Sequence, residues 1–391
     1  MQEDEPSVNH VSRHITAIIA SMLAASAPIA VRAAESDTRV VVFDDVPIEW
    51  SAATADGPAT DGHELRSGGQ SAVRTLDLPE APANQRDARR IIAEVEVEPV
   101  LVQAGGKARP GDPWTRLGSV EVILPDKTGA SPRVAEIMRF TTAFGGPAVY
   151  RADVTALAPL LSGRTTLSLS ISTYARPAWR ASLALSYSDE GAGVRRPAFA
   201  MPLFLEPSLT ADRHVVSSVV SIPTGLERPR LRVITTGHAT DGSAGDEFTS
   251  RTHVLRIDGR EIACWRPWSE QGASLRGGNP ASGRHEIDGR ELWSSDLDRA
   301  GWHPGLMVEP LMIPLPELTP GRHEVELAIL DIRPSERRGE RTSHGYWRAS
   351  AIVVADEPWP IVPATPSTGG GPPVPGAGPG RKPDPRPRGG S

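Results

Sequence analysis

Apolar and polar side chains alternate residue by residue in several segments, and this alternation limits the possible folds more than any other feature. Residues 95–98 read Val, Glu, Val, Glu, residues 167–172 alternate Leu or Ile with Ser, and residues 325–329 follow the same pattern. Because successive side chains of a β-strand point to opposite faces, a period of two is typical of half-buried antiparallel strands. Further strand candidates lie at 39–43, 119–124, 181–187, 231–235, 252–257 and 349–354. Many short strands separated by turns predict an all-β sandwich or jelly roll.

Turn-forming residues separate these strands. The 38 Pro and 37 Gly residues make up close to a fifth of the chain, which disfavours a helical bundle. The sequence Ile-Asp-Gly-Arg-Glu occurs at 257–261 and again at 287–291, and Asp-Gly between strand-like residues predicts two hairpin tips. Prolines cluster at 197–207, which indicates a boundary between two units, and 51–70 reads as a long loop. The Pro/Gly-rich residues 359–391 predict a disordered tail.

The beginning of the chain resembles an export signal. Arg13 and His14 precede an apolar stretch at 15–31, and Val31-Arg32-Ala33 fits the small-x-small rule for cleavage. We therefore predict a signal peptide over 1–33 and an exported bacterial protein, either secreted or periplasmic. The alternative is a membrane anchor, although Pro28 interrupts the stretch, which falls short of the ~20 strongly apolar residues that a span needs.

Composition excludes several classes of function. The formal net charge is −6 and no basic stripe with interleaved aromatics is present, so we expect no nucleic acid partner. Cys264 is the single cysteine, which rules out an intramolecular disulfide, and we expect a small buried side chain rather than a nucleophile. The sequence has no Cys-x-x-Cys pair and no His-Glu-x-x-His pattern, so we expect no zinc site. Each of the nine tryptophans is a candidate for stacking on a sugar face or, more often, for core packing.

Several short motifs follow one another between about residues 39 and 355. The eight residues at 298–305 read Asp-Arg-Ala-Gly-Trp-His-Pro-Gly. The others are Trp114-Thr115-Arg116, Asp153-Val154-Thr155, Leu160-Leu161-Ser162-Gly163, Gly237-His238-Ala239, Glu247, Arg251-Thr252-His253 and Gly278-Asn279-Pro280. In order and spacing they resemble the peptide-N-glycosidase F family, which are amidases that cut N-glycans from asparagine. The family octet has Cys in place of His303, which implies that the family's disulfides are absent.

The resemblance has implications for fold and partners. It implies two consecutive antiparallel jelly-roll β-sandwiches, over 36–196 and 200–358, with a glycan-binding cleft at their interface. The fold is shared with copper-dependent peptidylglycine monooxygenase, but no His-x-His pair is present, and we expect no copper, other metal or cofactor. The implied partner is an N-glycoprotein or glycopeptide. We expect a monomer that has no contact with the membrane after signal cleavage.

The resemblance also places the catalytic positions. The family's primary Asp, in Trp-Asp-Arg, corresponds to Thr115, whose hydroxyl cannot act unaided as a general base near neutral pH. Asp112 is a candidate substitute, although three residues of extended chain displace it by ~10 Å. A second family Glu corresponds to Ser172, while a third carboxylate is retained as Glu247.

Substrate-binding residues follow from the same comparison. Arg116 and Arg299 match cleft arginines, which implies either hydrogen bonds to sugar hydroxyls and the reacting carbonyl or an ion pair that braces the interface. Trp302 is either an aromatic on the cleft floor or a core residue. Phe248 and Tyr174 are the aromatics next to the retained Glu and to the position of the missing one. The resemblance implies structural roles for the histidines of these motifs.

Two main hypotheses for the function follow. The first is an exported amide hydrolase of N-glycan–asparagine bonds, or a divergent and weakly active relative, which uses Glu247, with Asp112 as the candidate second carboxylate. The alternative is a non-catalytic glycan- or glycopeptide-binding protein with the same cleft. A third hypothesis is a structural surface module with the tail as a spacer.

Overall fold

The structure is a computed structural model, and it describes residues 37–51, 62–80, 89–125, 133–189, 195–239, 245–287, 290–338 and 341–358. The predicted signal peptide over 1–33 and the predicted tail from 359 lie outside these residues. Within these ranges, no helix has the length and apolar content needed to cross a membrane.

Antiparallel β-strands form the described chain, joined by turns and short 3₁₀ segments. The first eleven strands are β1 (Thr38–Ile48), β2 (Glu64–Arg66), β3 (Ser71–Leu78), β4 (Arg90–Pro99), β5 (Leu101–Ala104), β6 (Lys107–Pro110), β7 (Leu117–Leu124), β8 (Arg133–Thr141), β9 (Ala148–Asp153), β10 (Gly163–Ile171) and β11 (Trp179–Ser188). The others are β12 (Pro197–Leu209), β13 (Val215–Ile222), β14 (Glu227–Ala239), β15 (His253–Ile257), β16 (Arg260–Trp265), β17 (Arg284–Ile287), β18 (Arg290–Trp293), β19 (Leu311–Pro314), β20 (Gly321–Ile329), β21 (Glu336–Arg338), β22 (Arg341–Ser343) and β23 (Gly345–Asp356). The 3₁₀ segments are Ser67–Gly69, Thr155–Leu160, Asp246–Phe248, Gly272–Gly278 and Ser294–Asp296.

Four larger sheets organise these strands into two sandwiches. Strands in the orders β1-β11-β4-β9 and β2-β3-β10-β7-β8 form the first pair of sheets. Strands in the orders β12-β23-β14-β19 and β13-β20-β15-β16 form the second pair. Neighbouring strands are antiparallel throughout these sheets. The predicted all-β fold of two consecutive antiparallel jelly rolls is therefore confirmed.

Alternation in the sequence corresponds to burial in the strands. In β4, Val95 and Val97 are buried, whereas Glu96 and Glu98 are exposed. Each sandwich encloses a hydrophobic core of such inward-facing residues. Burial of these side chains supplies the main stabilising free energy of both halves.

The last strand, β23, contributes to both cores. Ile352 and Val354 pack into the core of the first sandwich. Trp347 and Val353 pack into the core of the second. A single strand with one face toward each core holds the two halves in a fixed arrangement.

Buried charges cross the interface beside β23. Glu136 and Arg139, both fully buried on β8, form an ion pair of 2.6 Å. Glu136 also lies 3.3 Å from the Arg348 guanidinium and accepts a hydrogen bond of 2.5 Å from Ser350 Oγ, both on β23. Arg139 donates to Thr236 Oγ1 on β14 over 3.0 Å. The network therefore joins the first sandwich to two strands of the second.

The proline cluster at 197–207, where we predict a boundary between two units, lies within β12, the first strand of the second pair of sheets, and register shifts accommodate prolines that cannot pair regularly. Two other sequence expectations need correction. The predicted loop at 51–70 contains β2 and a 3₁₀ turn, although 52–61 lie outside the described residues. Cys264 is exposed rather than buried, because β16 is the edge strand of its sheet.

The first of the two predicted hairpin tips is confirmed. Asp258 has a φ of 49° and Gly259 a φ of 78°, and they join the antiparallel strands β15 and β16. Positive φ at both central residues is what a type I′ turn requires. In the second copy, the corresponding Asp288 and Gly289 lie outside the described residues, between the paired strands β17 and β18.

Candidate active site

A cavity of about 540 Å³ lies between the two sandwiches. Its lining residues come from both halves of the chain: Thr115, Arg116, Leu117, Thr141, Ser172, Tyr174, Pro207, Ser208, His238, Ala239, Glu247, Trp302, His344, Tyr346 and Arg348. Glu247 is the only carboxylate among these described lining residues.

Asp112 organises the part of the wall that the first sandwich supplies. Its buried carboxylate accepts hydrogen bonds from Arg116 Nε over 2.7 Å and Arg116 Nη2 over 3.0 Å. It also accepts from Thr173 Oγ1 over 2.5 Å and from the Trp114 amide over 3.2 Å. These bonds join the segment that carries Thr115 to the segment that carries Ser172 and Tyr174. Asp112 itself does not line the cavity.

Exposed aromatic residues belong to the same part of the first sandwich, and Tyr174 among them lines the cavity. Tyr174 is exposed, lies 6.1 Å from the ring of Trp50 and sits under the Arg116 guanidinium at 5.6 Å. Trp114, directly before Thr115, is also exposed. Exposed aromatics beside a polar cavity offer flat apolar surfaces to a ligand.

Arg299 fixes Glu247 on the opposite wall. Glu247 lies in the 3₁₀ turn Asp246–Phe248, and its carboxylate accepts a hydrogen bond of 3.1 Å from Arg299 Nε. Arg299 is fully buried, donates further to Leu297 O and Ser294 Oγ, and packs 4.9 Å from the ring of Trp302. The Glu247 carboxylate therefore has a positioned cationic partner at the cavity surface.

The cavity floor is a stack of rings. His238, at the end of β14, lies 5.4 Å from the ring of Trp302 and 5.2 Å from that of Tyr346. Burial lowers the pKa of His238 to about 3, aided by the nearby charges of Arg139 and Arg348. The imidazole is therefore neutral near pH 7, and its Nε2 pairs with Thr236 Oγ1 over 2.8 Å.

The octet 298–305 bridges the two sandwiches beside the cavity. Gly305 N donates to Thr141 O over 3.0 Å, and Thr141 N donates to Leu306 O over 3.0 Å. Buried Asn279 donates through Nδ2 to Pro304 O and accepts from the Phe144 amide through Oδ1. Backbone and amide hydrogen bonds therefore set the position of Trp302 relative to the first sandwich.

The comparisons with known proteins agree with this geometry. The family model "Peptide-N-glycosidase F, C terminal" matches residues 207–354. The structure of PNGF-II superposes with a TM-score of 0.69 at 25% identity, covering 82% of this chain and 65% of that one. The resemblance to the peptide-N-glycosidase F family is confirmed. No curated protein matches the chain.

Two further structures share the peptide-N-glycosidase F fold. Recombinant peptide:N-glycanase F superposes with a TM-score of 0.60 at 20% identity, covering 82% of this chain and 96% of that one. PNGase F, a glycosylasparaginase from Flavobacterium meningosepticum, gives 0.58 at 21% identity, with 83% and 96% covered. The chain spans 65% of the length of PNGF-II.

Most predicted site residues of this peptide-N-glycosidase F-like chain lie around one cavity. Thr115, Arg116, Ser172, Tyr174, Glu247 and Trp302 all line it. Asp112, Phe248 and Arg299 do not: Asp112 is buried behind Arg116, and Phe248 packs 5.0 Å from the buried Arg299. The burial of Arg299 disfavours a direct contact with sugar, and its ion pair with Glu247 joins two segments of the second sandwich rather than bracing the interface between the halves.

Sequence reasoning missed the contribution of β23 to this peptide-N-glycosidase F-like cavity. Tyr346 and Arg348 line it, and Trp347 between them is buried in the second core. The predicted strand began at residue 349, but the period of two continues back to Gly345. Extending that alternation would have placed Tyr346 and Arg348 on one face.

Across the described residues, no group of three or more His, Cys, Asp or Glu side chains is arranged to hold a metal ion. The polar groups around the cavity are instead one carboxylate, two arginines, several hydroxyls and two imidazoles, of which that of His238 is neutral. Such a set can bind a polyhydroxylated ligand and orient a carbonyl group.

Gly301 in the octet is a sensitive position. It has a φ of +81°, and a Cβ there would meet Thr235 O at 2.9 Å and Pro267 Cβ at 3.1 Å. We expect Gly301→Ala to lower the free energy of unfolding by about 2–4 kcal/mol, from backbone strain and overpacking together. Gly225→Ala is the matched control, because its φ is +77° but nothing lies within 4 Å. Equal losses in urea denaturation would refute the steric part of this prediction.

Proposed function

We propose that the chain is an exported, divergent relative of N-glycan amidases whose cavity binds the junction between an N-glycan and its asparagine, with weak hydrolysis of that bond. The observation that carries the proposal is the shared cavity of Thr115, Ser172 and Glu247. One acidic position is retained and two are hydroxyls, within a wall otherwise built for a polar ligand.

Hydrolysis of this bond requires a water molecule and a path for its proton. Water adds to the side-chain carbonyl carbon of asparagine, the bond from that carbon to the glycan-bearing nitrogen breaks, and aspartate and a glycosylamine form. The leaving nitrogen takes the proton that the water loses. A carboxylate next to the water accelerates this step as general base.

Glu247 supplies the retained carboxylate in this scheme. Its bond to Arg299 orients it, so that it accepts hydrogen bonds from the amide N–H or from a sugar hydroxyl. Arg299 is a positioning residue, because it is buried and acts through Glu247. Asp112 holds Arg116 and Thr173 in place rather than contacting the substrate.

Binding without turnover is the second candidate function. It is favoured because Thr115 and Ser172 stand where the family has carboxylates, and a hydroxyl without an adjacent base neither activates water nor attacks efficiently. The exposed rings of Trp114 and Tyr174 support binding in either case.

Glu247→Gln tests the site. We expect about tenfold weaker binding of an N-glycopeptide and loss of residual glycan release, because the neutral amide keeps the shape but removes the charged acceptor. Titration calorimetry and mass spectrometry of the released glycan measure the two effects. The control is Glu98→Gln, since Glu98 is exposed on β4 outside the cavity lining. Unchanged binding and release in Glu247→Gln would place the function elsewhere. Loss of release alone, with saturable binding intact, would favour the enzyme over the binding protein.

A further inference from the structure

A second cavity, of about 520 Å³, lies on the second sandwich and shares Trp302 with the first. Its lining comes from β14, from the end of β16 and the segment after it, from the octet and from the residues that follow it, and it includes Trp265, Trp268, Gln271, Trp302, His303 and Glu309. It contains none of the residues aligned with the family's catalytic positions.

Three tryptophans supply its apolar surface. Trp268 is 40% exposed, Trp265 is half-buried and Trp302 forms the wall between the two cavities. An indole ring with this much exposed surface lacks part of the stabilising free energy that full burial in the core would give. Its flat face suits a ligand that combines an apolar face with polar edges.

The segment that carries Trp268 is held rigidly. Ser269 N donates to Arg299 O over 2.9 Å, and Arg299 N donates back to Ser269 O over 3.1 Å. Ser250 Oγ donates to Pro267 O over 2.9 Å, and Arg266 Nη2 donates to Ser250 O over 2.7 Å. A ligand that stacks on Trp268 therefore needs little ordering of the protein, which favours affinity.

His303 fixes the next part of the rim. Its Nε2 accepts a hydrogen bond of 2.9 Å from the backbone N–H of Gln271. Burial lowers the pKa of His303, aided by the charge of Arg299, so the ring stays neutral and keeps the lone pair that this bond uses. The side chain of Gln271 is exposed at the rim, where its amide offers both a donor and an acceptor.

The charged residues of the rim have opposite signs. Arg266 and Glu309 are both exposed and both line the cavity. Together with Ser269 and Gln271 they provide donors and acceptors without a net charge, which disfavours an anionic or cationic ligand. Tryptophan faces within a neutral polar rim fit the apolar C–H faces and hydroxyl edges of a sugar.

We infer that this second cavity is a site for a neutral oligosaccharide, separate from the cavity of Glu247. The inference goes beyond the proposed function, because a sugar site around Trp268 needs no hydrolysis at the first cavity. Since Trp302 lines both, two ends of one branched glycan have adjacent places to bind.

The test is titration calorimetry of the purified protein with trimannosyl-chitobiose, the free core of N-glycans. We expect Trp268→Ala to weaken the binding by about tenfold or more at the second site, because a central tryptophan commonly dominates such contacts. The melting temperature of Trp268→Ala should match that of the unsubstituted protein, since the Trp268 side chain is partly exposed. Gln271→Ala tests the polar rim with no change to the stacking surface.

The first-cavity variant Tyr174→Ala separates this inference from the proposed function. The Trp268-dependent binding should persist in Tyr174→Ala, and it should persist even if no glycan release is found. Three results would overturn the inference: no binding of the saccharide, equal binding by Trp268→Ala and the unsubstituted protein, or Trp268-dependent binding of a proline-rich peptide instead.

Discussion

Thr115→Asp is expected to raise the rate of glycan release from an N-glycopeptide by about 100- to 10,000-fold, the usual contribution of a positioned general base. Thr115 lines the cavity that holds Glu247 and lies directly between exposed Trp114 and the anchored Arg116. A carboxylate at this position would therefore face the same space as the retained one. The measurement is single-turnover release followed by mass spectrometry.

Thr115→Asn is the matched control, because it has the size of Asp but cannot accept a proton. We expect no gain from it. Combining Thr115→Asp with Glu247→Gln should remove most of the gain, since both side chains act on one substrate and such effects are not additive. A Thr115→Asp protein that binds the glycopeptide but shows no gain would mean that the cavity no longer positions the bond for hydrolysis.

Glu136→Gln is expected to lower the free energy of unfolding by about 3–5 kcal/mol, the usual cost of removing one partner from a buried ion pair. Glu136 is fully buried between Arg139, at 2.6 Å, and Arg348, at 3.3 Å. The neutral amide keeps the shape but removes the carboxylate that pairs with Arg139, while Arg348 retains its pair with Glu121. Urea denaturation at pH 7 measures the loss.

Glu94→Gln is the surface control, because Glu94 also forms ion pairs with two arginines. Glu94 lies between Arg39 at 2.9 Å and Arg151 at 2.5 Å, but both arginines are more than half exposed. Exposed pairs contribute about 0–1 kcal/mol, so a small effect is expected. A loss as large as that of Glu136→Gln would mean that burial is not the cause.

The effect of Glu136→Gln should depend on pH. Burial alone would raise the pKa of Glu136, but Arg139 and Arg348 outweigh it and hold the pKa at about 2, below the ordinary 4.5. A lowered folded-state pKa stabilises the protein fully above the unfolded value and loses that contribution as pH falls through the folded one. The difference between the two proteins should therefore shrink between pH 4.5 and about 2.

Several strands that sequence reasoning found have an apolar face toward a core and a polar face away from it, whereas the candidates at 231–235 and 349–354 are buried on both faces. In β4 the glutamates face outward, and in β20 the alternating residues Val325, Leu327 and Ile329 are buried. Where a strand has this environment, the period of two carries enough information to locate it.

β8 was missed because its environment differs. Ile137 is buried in the first core, while Glu136 and Arg139 are buried in the interface. Charged residues at buried positions hide the alternation, since their burial depends on partners from β14 and β23 that are distant in sequence. Sequence patterns do not reveal such tertiary pairing.

Only part of the candidate site could be predicted from the sequence, because here too the tertiary contacts are distant in sequence. Short motifs placed Thr115, Ser172 and Glu247, and these residues do line one cavity. Asp112 accepts a hydrogen bond from Thr173, and Arg299 donates one to Glu247. Each of these bonds joins segments that are more than fifty residues apart in the sequence. The identity of Asp112 and Arg299 alone did not show whether each is a buried residue that positions its neighbours or a residue that contacts the substrate.

The double role of β23 affects the order in which the molecule can be completed. During synthesis, the ribosome releases the strands of the first sandwich long before it releases Ile352 and Val354, which fill part of that sandwich's core. The half made first therefore has an apolar gap in its core until β23 has been synthesised. A fragment that ends between the halves would keep this gap permanently, and a chain recombined at that point would need a new final strand of matching shape.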